Sequence, residues 1–316
     1  MGSMNHPPTE REVRMAQAGR QELVERVARA VREDGEVEAP GGLRLLRRSS
    51  PTPKDHGVSS PALCMIAQVS KEVLLGEDRY RYDADRYLIT AAALPTASRV
   101  TEASEERPYL GVVLGLDPAL VGSVMVEAGQ PALRELAAVR AFDVSPLDAG
   151  LLDAVVRLVG LLDTPADEAS FLRPLLTREI VFRLLRGEQG DRLRQIAILG
   201  GHSHRIARAL EQLREDFDRP LRIEDVAREV GMSVSGFHHH FRAVTAMSPL
   251  QFQKRMRLQE ARHLMLAEDL DAASAGYRVG YSDASQFNRE YKRLFGAPPA
   301  RDVVRLREAA MEGVSA

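Results

Sequence analysis

The histidines are the residues of this chain whose spacing most directly suggests metal chemistry. His238, His239 and His240 are consecutive in a stretch with helical periodicity. Consecutive helical side chains point about 100° apart, so three neighbouring imidazoles cannot converge on one ion. His202 and His204 lie near the start of another predicted helix, where solvation or helix capping accounts for them. The sequence therefore predicts no metal site and no cofactor.

Cys64 is the only cysteine, and it lies in the apolar run 62–66 without a nearby basic partner. Such surroundings favour a buried structural thiol over a redox sensor. Only His6 and His56 precede residue 200, too few for a metal centre with three histidine ligands. The chain also lacks a phosphate loop, a nucleophile elbow and a dinucleotide fingerprint. We therefore predict no catalytic residues and no enzymatic activity.

Residues 223–245 have the spacing of a helix-turn-helix unit. Gly231 permits a sharp turn, and Ser233 is a good N-cap for the helix that follows. Phe237 and Phe241 fall four apart, so both can lock that helix against the first one. The opposite face presents small or polar groups suited to hydrogen bonds with base edges in a major groove: Ser235, His238, His239 and Arg242.

The same pattern recurs about 49 residues later, with Gly280 in the place of Gly231. Phe287 and Tyr291 are again four apart on the face predicted to be buried. The outward face of this second helix carries four polar residues: Ser285, Asn288, Arg289 and Lys292. One continuous helix over 251–266 joins the two units. If both recognition helices enter successive major grooves, they lie about 34 Å apart.

A local excess of positive charge accompanies the two units, although the whole chain has a net charge of −2. The excess lies in residues 237–262, where Glu260 is the only acidic residue. Arg255 and Arg257, on the connecting helix, are predicted to contact phosphates. Charge interrupts every apolar run before 18 residues, so no membrane span is predicted.

The front half has a different sequence pattern, in which short β-type runs and prolines recur with no long helix between them. Closely spaced strands of this kind favour an antiparallel sandwich or barrel. The predicted strands are 43–46, 62–69, 73–75, 80–82, 87–91 and 109–116. Helices are predicted over 10–33, 118–128, 146–163 and 168–187. The third of these is apolar on nearly all sides, which suits either a helix buried in its own domain or a dimer seam.

Residues 203–299 resemble the DNA-binding domain of AraC/XylS transcription regulators. The positions that carry the resemblance are Gly280, Tyr281, Ser282, Asp283, Ser285, Gln286, Phe287, Arg289, Tyr291, Lys292, Phe295, Gly296 and Pro299. The front half resembles the N-terminal domain of one AraC subgroup in the segments 61–64, 70–76 and 80–82. That domain is similar to a cupin barrel followed by helices.

Three residues depart from the family pattern. The family usually has glycine where Ala246 stands, and a left-handed alanine there costs about 1 kcal/mol. It usually has alanine where Gly276 stands, inside a helix, and glycine there also costs about 1 kcal/mol. Arg222 occupies an N-cap position where serine or threonine is better.

The predicted fold is α+β: a cupin-like barrel or sandwich with flanking helices, then an all-α domain in which a long helix joins two helix-turn-helix units. We expect five segments along the chain: a helical arm 1–35, a cupin-like front domain 36–190, a linker 191–202, a DNA-binding domain 203–300 and a tail 301–316.

The resemblance implies a bacterial, cytoplasmic transcription regulator, more often an activator, that binds double-stranded promoter DNA and works with RNA polymerase. Its front domain would sense a small-molecule effector or form a homodimer. One alternative is a regulator whose front domain only dimerises. Another is a cupin enzyme with a DNA-binding tail, and the scarcity of histidines speaks against it.

The effector site stays open at this level. Arg44, Arg47 and Arg48 could hold an anionic effector or simply be solvated. Four tyrosines could line a pocket or fill the barrel: Tyr80, Tyr82, Tyr87 and Tyr109.

Overall fold

The computed structural model describes residues 10–129, 140–197 and 202–312, in which ten strands precede most of the helices. The strands are β1 (Gly35–Ala39), β2 (Leu43–Arg48), β3 (Asp55–Val58), β4 (Ala62–Gln68), β5 (Ser70–Leu75), β6 (Asp78–Asp83), β7 (Arg86–Thr90), β8 (Pro95–Glu102), β9 (Tyr109–Gly115) and β10 (Phe142–Pro146). The helices are α1 (Glu10–Ala30), α2 (Pro118–Glu127), α3 (Ala149–Gly160), α4 (Ala166–Arg186), α5 (Gly190–Ala197), α6 (His202–Glu215), α7 (Ile223–Glu229), α8 (Val234–Thr245), α9 (Pro249–Ala267), α10 (Ala272–Arg278), α11 (Ala284–Phe295) and α12 (Pro299–Glu312).

All ten strands pair antiparallel, in two sheets. One sheet has the order β1-β2-β9-β4-β7-β10 and the other β3-β8-β5-β6. The α+β class and the antiparallel architecture predicted from the sequence are therefore confirmed, and all six predicted strands are present. Strands β1, β3, β8 and β10 were not predicted, because they are short or polar and β8 begins with a proline.

The larger sheet is apolar on both faces. In β4, Leu63 and Met65 point into a cluster with the helices, whereas Ile66 points to the other side, between the two sheets. This alternation follows from the two-residue period of a strand. It explains why β4 is a nearly unbroken apolar run rather than an alternation of apolar and polar residues.

Helices α1, α3 and α4 cover the outer face of this sheet. The apolar residues of α3 are buried within this layer: Leu151, Leu152, Val155, Val156, Leu158 and Val159. Asp148 caps α3 by accepting a hydrogen bond from the Leu151 amide at 2.9 Å. Of the two alternatives for this helix, the structure supports burial in its own domain and not a dimer seam.

The segment predicted as a linker is partly helical. Helix α5 covers residues 190–197, and Leu193 is fully buried in the same apolar cluster as α3 and α4. Gly187 caps the end of α4 and Gly190 begins α5, so only residues 187–189 separate these helices. Residues 198–201 lie outside the described part of the chain. The predicted tail likewise begins with α12, so residues 301–312 are helical.

The first helix-turn-helix unit shares its apolar core with the front domain. One continuous cluster contains Val73 and Leu75 of β5 together with Phe237 and Phe241 of α8. A second cluster is formed mainly by α9–α12, centres on Phe287 and Tyr291, and also contacts Phe217. The core of the first unit is therefore continuous with that of the front domain, whereas the second unit has a separate cluster.

A tight turn in the front domain touches the end of α8. Gly76, at φ +64°, connects β5 to β6. A Cβ atom there would lie 2.8 Å from the carbonyl oxygen of Ala246, so only glycine permits this approach. The Ala141 amide also donates to the Val244 carbonyl at 3.1 Å. Among the described residues, no helix is long and apolar enough to cross a membrane.

Candidate nucleic-acid interface

Helix α8 is fixed by its start, its buried face and its end. Ser233 accepts a hydrogen bond from the Gly236 amide at 3.2 Å, which caps the N-terminus as predicted. Phe237 and Phe241 are completely buried, and the Phe241 ring meets Phe252 of α9 edge-on at 5.7 Å. The helix ends at Ala246, which is left-handed with φ 57°. The strained alanine expected from the departure from the family pattern is therefore present.

The opposite face of α8 is open to solvent. All four residues predicted to face a groove are exposed and lie on this helix: Ser235, His238, His239 and Arg242. Arg242 and His239 also border a small cavity beside Glu77 and Asp78 of the front domain. Acidic side chains therefore stand next to the C-terminal part of this face.

Helix α11 repeats the arrangement. Asp283 accepts a hydrogen bond from the Ser285 amide at 2.7 Å and caps the helix. Phe287 and Tyr291 are completely buried, with ring centroids 5.5 Å apart. The four predicted outward residues are all exposed: Ser285, Asn288, Arg289 and Lys292.

Gly276 has a packing role in this second unit. A Cβ atom at this position would lie 3.0 Å from Cγ of Phe287. The glycine, which departs from the family pattern in the middle of α10, therefore allows the buried ring of α11 to lie close against α10.

Helix α9 joins the two units rigidly. Ser248 and Gln251 form a capping box at its start. Farther along, Lys254 pairs with Glu290 of α11 at 2.8 Å, and Glu290 accepts the Tyr281 hydroxyl proton at 2.8 Å. This chain of contacts fixes the rotation of α11 about its axis, and hence the direction of its outward face.

Arg257 lies inside the domain rather than on the predicted phosphate-contacting surface. Its guanidinium donates to four backbone carbonyls, those of Phe217 at 2.6 Å, Arg219 at 2.8 Å, Gly280 at 2.9 Å and Asp218 at 3.2 Å. It therefore ties α9 to the connection after α6 and to the turn of the second unit. Burial lowers the pKa of its guanidinium, which stays charged.

Arg255 is also turned away from the outward faces of α8 and α11. It is half-buried, and it donates to the carbonyl of Gly76 in the front domain at 3.3 Å. The structure thus brings eight of the ten predicted DNA-binding residues onto two exposed helix faces. It places Arg255 and Arg257 in contacts within the protein instead, because the side of α9 that carries them packs against other elements.

A cavity of about 470 Å³, which the sequence did not predict, lies between the front domain and helices α9 and α12. Its apolar wall is formed by Leu46, Val100, Tyr109 and Leu306. Two acidic residues, Glu36 and Asp55, also line the cavity. The remaining charged residues are cationic and come from the front domain and from the DNA-binding half: Arg48, Lys54, Lys71, Arg99, Arg262 and Arg305. The cavity therefore suits an anion with an apolar body.

Lys71 is the most informative residue of this cavity. Burial lowers the pKa of its ammonium group. Its ammonium nitrogen lies over the Tyr109 ring, 5.9 Å from the ring centroid. A buried ammonium without an ion pair is costly, and an anion in the cavity would relieve that cost. The alternation of β5 could have indicated that Lys71 shares a face with Val73 and Leu75.

The other residues considered for an effector have different roles. Arg44 pairs with Glu36 at 2.9 Å, and Arg47 lies 3.9 Å from Asp34. Arg48 lines the cavity, although it also donates to the Gly35 carbonyl at 2.8 Å. Among the tyrosines, Tyr109 lines the cavity. The other three pack elsewhere: Tyr82 is buried between the sheets, Tyr87 packs with the helices and Tyr80 meets the ring of Phe142.

His56 lies where β3 meets the second helix-turn-helix unit. Its ring contacts Phe295 edge-on, with centroids 5.0 Å apart. Burial, together with the positive charges of Arg262, Arg255 and Lys54, lowers the pKa of His56 to about 4, although the carboxylate of Asp302 opposes this shift. The described part of the chain contains no group of three or more His, Cys, Asp or Glu placed to hold a metal ion.

Comparison with known proteins matches both halves of the chain. Residues 40–192 match a family model described as the N-terminus of AraC-type transcriptional regulators, and residues 226–302 match a helix-turn-helix domain. Relatives include the transcriptional activator RhaS of Salmonella schwarzengrund, 28% identical over 165 residues, and that of Salmonella agona, 27% identical. These alignments cover 51% of this chain and 57% of each relative, so the chain spans little more than half of their length.

Solved structures show the same fold over most of the chain. ToxT from Vibrio cholerae superimposes with a TM-score of 0.53, at 11% identity, over 85% of this chain and 99% of its own. A second ToxT structure gives 0.54 over 83% and 97%. The two family models match the front domain and the helix-turn-helix units that the structure shows, and the chain belongs to the AraC family of transcriptional regulators.

Proposed function

We propose that this protein is a sequence-specific transcriptional regulator that binds double-stranded promoter DNA through the outward faces of α8 and α11. The observation that carries the proposal is that both helices have completely buried aromatic pairs behind and exposed polar residues in front. Such a helix can enter a major groove without losing its packing. The relatives' name, transcriptional activator, supports activation as the sign of regulation.

The front domain, residues 36–190, senses an effector or mediates dimerisation, and the DNA-binding domain, residues 203–300, contacts the promoter. The regulator acts in the bacterial cytoplasm, works with RNA polymerase and forms a homodimer, and it catalyses no reaction. Arg255 and Arg257 contribute by positioning the helices rather than by touching phosphates, since their guanidinium groups are engaged within the protein.

Arg289→Ala is expected to relax the base preference of the protein. Arg289 is exposed on the outward face of α11, where a guanidinium can bind guanine O6 and N7 together. Such a contact discriminates by about 1–3 kcal/mol, so preference at one base pair should fall by about 5- to 150-fold. The measurement is selection from a random DNA pool by the full chain.

The matched control is Arg278→Ala, which removes an exposed arginine of α10 that pairs with Glu268 at 2.6 Å. This variant should select the same site as the parent. An unchanged preferred site for Arg289→Ala would remove Arg289 from base readout, and the absence of any selected site for the parent would overturn the proposed function.

The front domain, we further propose, binds an amphiphilic anion in the cavity that Lys71 lines. Supporting this, one ToxT structure is described as bound to an unsaturated fatty acid and another to a naphthalenyl butenoic acid. A carboxylate would pair with Lys71 while its apolar part lies along Leu46, Val100 and Tyr109. The cavity joins the two halves of the chain, since Arg262 and Arg305 also line it.

Lys71→Met should weaken the binding of an unsaturated fatty acid by about 10-fold or more, because a charge-assisted contact is lost while the bulk of the side chain stays. Thermal shift of the full chain provides the measurement. Arg81→Met, at an exposed position on the neighbouring strand β6, is the control. The matching fatty alcohol should bind poorly to the parent. Equal binding of alcohol and acid, or no effect of Lys71→Met, would contradict this site.

A further inference from the structure

A cleft between the two recognition helices carries more positive than negative charge. It is a cavity of about 270 Å³, bounded by the C-terminal halves of α8 and α11, the N-terminal half of α9 and the turn from β5 to β6, residues 76–77. Four cationic and two acidic residues line it: Arg242, Lys254, Arg255, Arg293, Glu77 and Glu290. Lys254 pairs with Glu290, and Arg255 donates to the Gly76 carbonyl. Arg242 and Arg293 are exposed and form no ion pair within the described ranges of the chain.

This cleft lies where the backbone of bound DNA would pass. Arg242 belongs to the outward face of α8, and Arg293 lies one turn after Arg289, about 40° around the axis of α11. When two recognition helices occupy successive major grooves, the sugar-phosphate backbone between those grooves crosses the space between the helices. The N-terminal residues of such a helix contact base edges, so Arg242, near the C-terminal end of α8, is placed for a phosphate.

Glu77 of the front domain occupies the same place. It lines the cleft, and it also lines the neighbouring cavity that His239 and Arg242 border. Glu77 is exposed, and its carboxylate forms no hydrogen bond or ion pair with any residue that the structure describes. The next residue differs, since Asp78 pairs with Arg140 at 2.7 Å. A carboxylate and a guanidinium that both lack an ion pair therefore share the borders of two cavities.

The turn that carries Glu77 is held against the DNA-binding half. Gly76 has no side chain to separate it from the Ala246 carbonyl at the end of α8, and its own carbonyl accepts a hydrogen bond from Arg255. On the other side, Arg140 binds Asp78, and the residue after Arg140 donates its amide proton to α8. Glu77 thus stays beside the recognition helix for as long as these contacts last.

We propose that Glu77 takes the place of a DNA phosphate beside Arg242, so that the front domain lowers the affinity of the protein for DNA. This inference rests on the DNA binding of the proposed function and adds a residue that opposes it. A fixed carboxylate repels the phosphates of an approaching backbone. It also neutralises part of the positive charge that would otherwise attract one of them.

The test is the affinity of the full chain for a site selected from random DNA, measured across a range of salt concentrations. Glu77→Gln should bind about 10-fold more tightly than the parent at about 50 mM salt, because the repulsion is removed and Arg242 is released for a phosphate. One added phosphate contact steepens the plot of log K against log salt by about 0.9. The advantage of the variant should therefore shrink to about 2-fold at about 400 mM.

Glu105→Gln is the matched control, because it removes the same charge from another exposed glutamate of the front domain. The strand before it, β8, pairs antiparallel with β5, and its last residue, Glu102, lies opposite Ser70. Glu105 therefore stands at the end of the smaller sheet that is farthest from the turn at Gly76. This variant should bind DNA as the parent does, with the same dependence on salt.

A second variant tests whether Glu77 acts through Arg242. When Arg242→Gln is already present, Glu77→Gln should improve binding by less than about 3-fold, since the guanidinium that it releases is absent. A full 10-fold gain in that background, a gain that does not change with salt, or a Glu77→Gln variant that binds no better than the parent would overturn the proposal. The absence of DNA binding by the parent would instead overturn the proposed function.

Discussion

Gly280→Ala should destabilise the second helix-turn-helix unit by more than about 3 kcal/mol, whereas Gly231→Ala should cost about 1 kcal/mol. Both glycines occupy the turn of their unit, with φ +88° and +65°. Around Gly231 a Cβ atom would meet open space. At Gly280 it would clash with the Asp218 carbonyl, 2.8 Å from its carbon, and approach Nη2 of Arg257 to 3.0 Å.

Hydrogen exchange in the full chain measures both costs, from the α10 and α11 amides for Gly280→Ala and from the α7 and α8 amides for Gly231→Ala, since it reports the free energy of opening of each unit. The added methyl group must push away the connection after α6 and disturb the four carbonyl contacts of Arg257. Equal costs for the two substitutions would show that backbone conformation alone, and not the close approach at Gly280, determines the residue at this turn.

Asp302→Asn is the second substitution with a large expected effect, about 3–5 kcal/mol of lost stability. Asp302 is completely buried. It accepts hydrogen bonds from Arg262 at 2.8 Å, from the Tyr291 hydroxyl at 3.0 Å and from Arg305 at 2.6 Å. Asparagine keeps the shape of the side chain but removes the charge, so Arg262, which is only 7% exposed, is left without a buried counter-charge.

The matched control is Asp269→Asn. Asp269 pairs with Arg307 of α12, the helix that also carries Arg305, at 2.6 Å, but Asp269 is 84% exposed. It is left-handed with φ 57°, a conformation that asparagine tolerates. Urea unfolding of the full chain, followed by circular dichroism, should show a loss below about 1 kcal/mol for this variant. A similar small loss for Asp302→Asn would mean that the buried pair contributes no more than a surface pair.

The two recognition helices could be predicted because their evidence is local. A turn glycine, a capping residue and two aromatic residues four apart define a helix and its buried face. The polar residues on the opposite face are then the outward ones, and all eight on α8 and α11 are exposed. The left-handed Ala246 could be foreseen for the same reason, since it depends only on where α8 ends.

The surroundings of the connecting helix could not be predicted. Arg242, Arg255 and Arg257 look alike in a basic stretch, but Arg257 faces carbonyls that are contributed by residues 217–219 and by Gly280. Which face of α9 is covered depends on segments far away in the chain. The same holds for Lys71, whose cavity requires the front domain and α12 together.

Strand β8 of the front domain could also not be predicted from the sequence. Strand β8 is polar along much of its length and begins with Pro95, so neither apolar alternation nor composition marks it. Its place in the sheet is fixed by pairing with both β3 and β5. Such a strand forms because its neighbours provide hydrogen-bond partners, and those partners lie up to about 40 residues away in the chain.

The apolar cluster shared by β5 and α8 has a consequence for how the protein is made. A ribosome adds about 5–20 residues per second, and α8 emerges about 170 residues after β5, so a delay of about 10–30 s separates the two. During this time Val73 and Leu75 lack part of their final cover. The nascent chain is therefore more exposed to aggregation than the finished protein, and co-expression of chaperones that bind exposed apolar segments should raise the yield of folded protein.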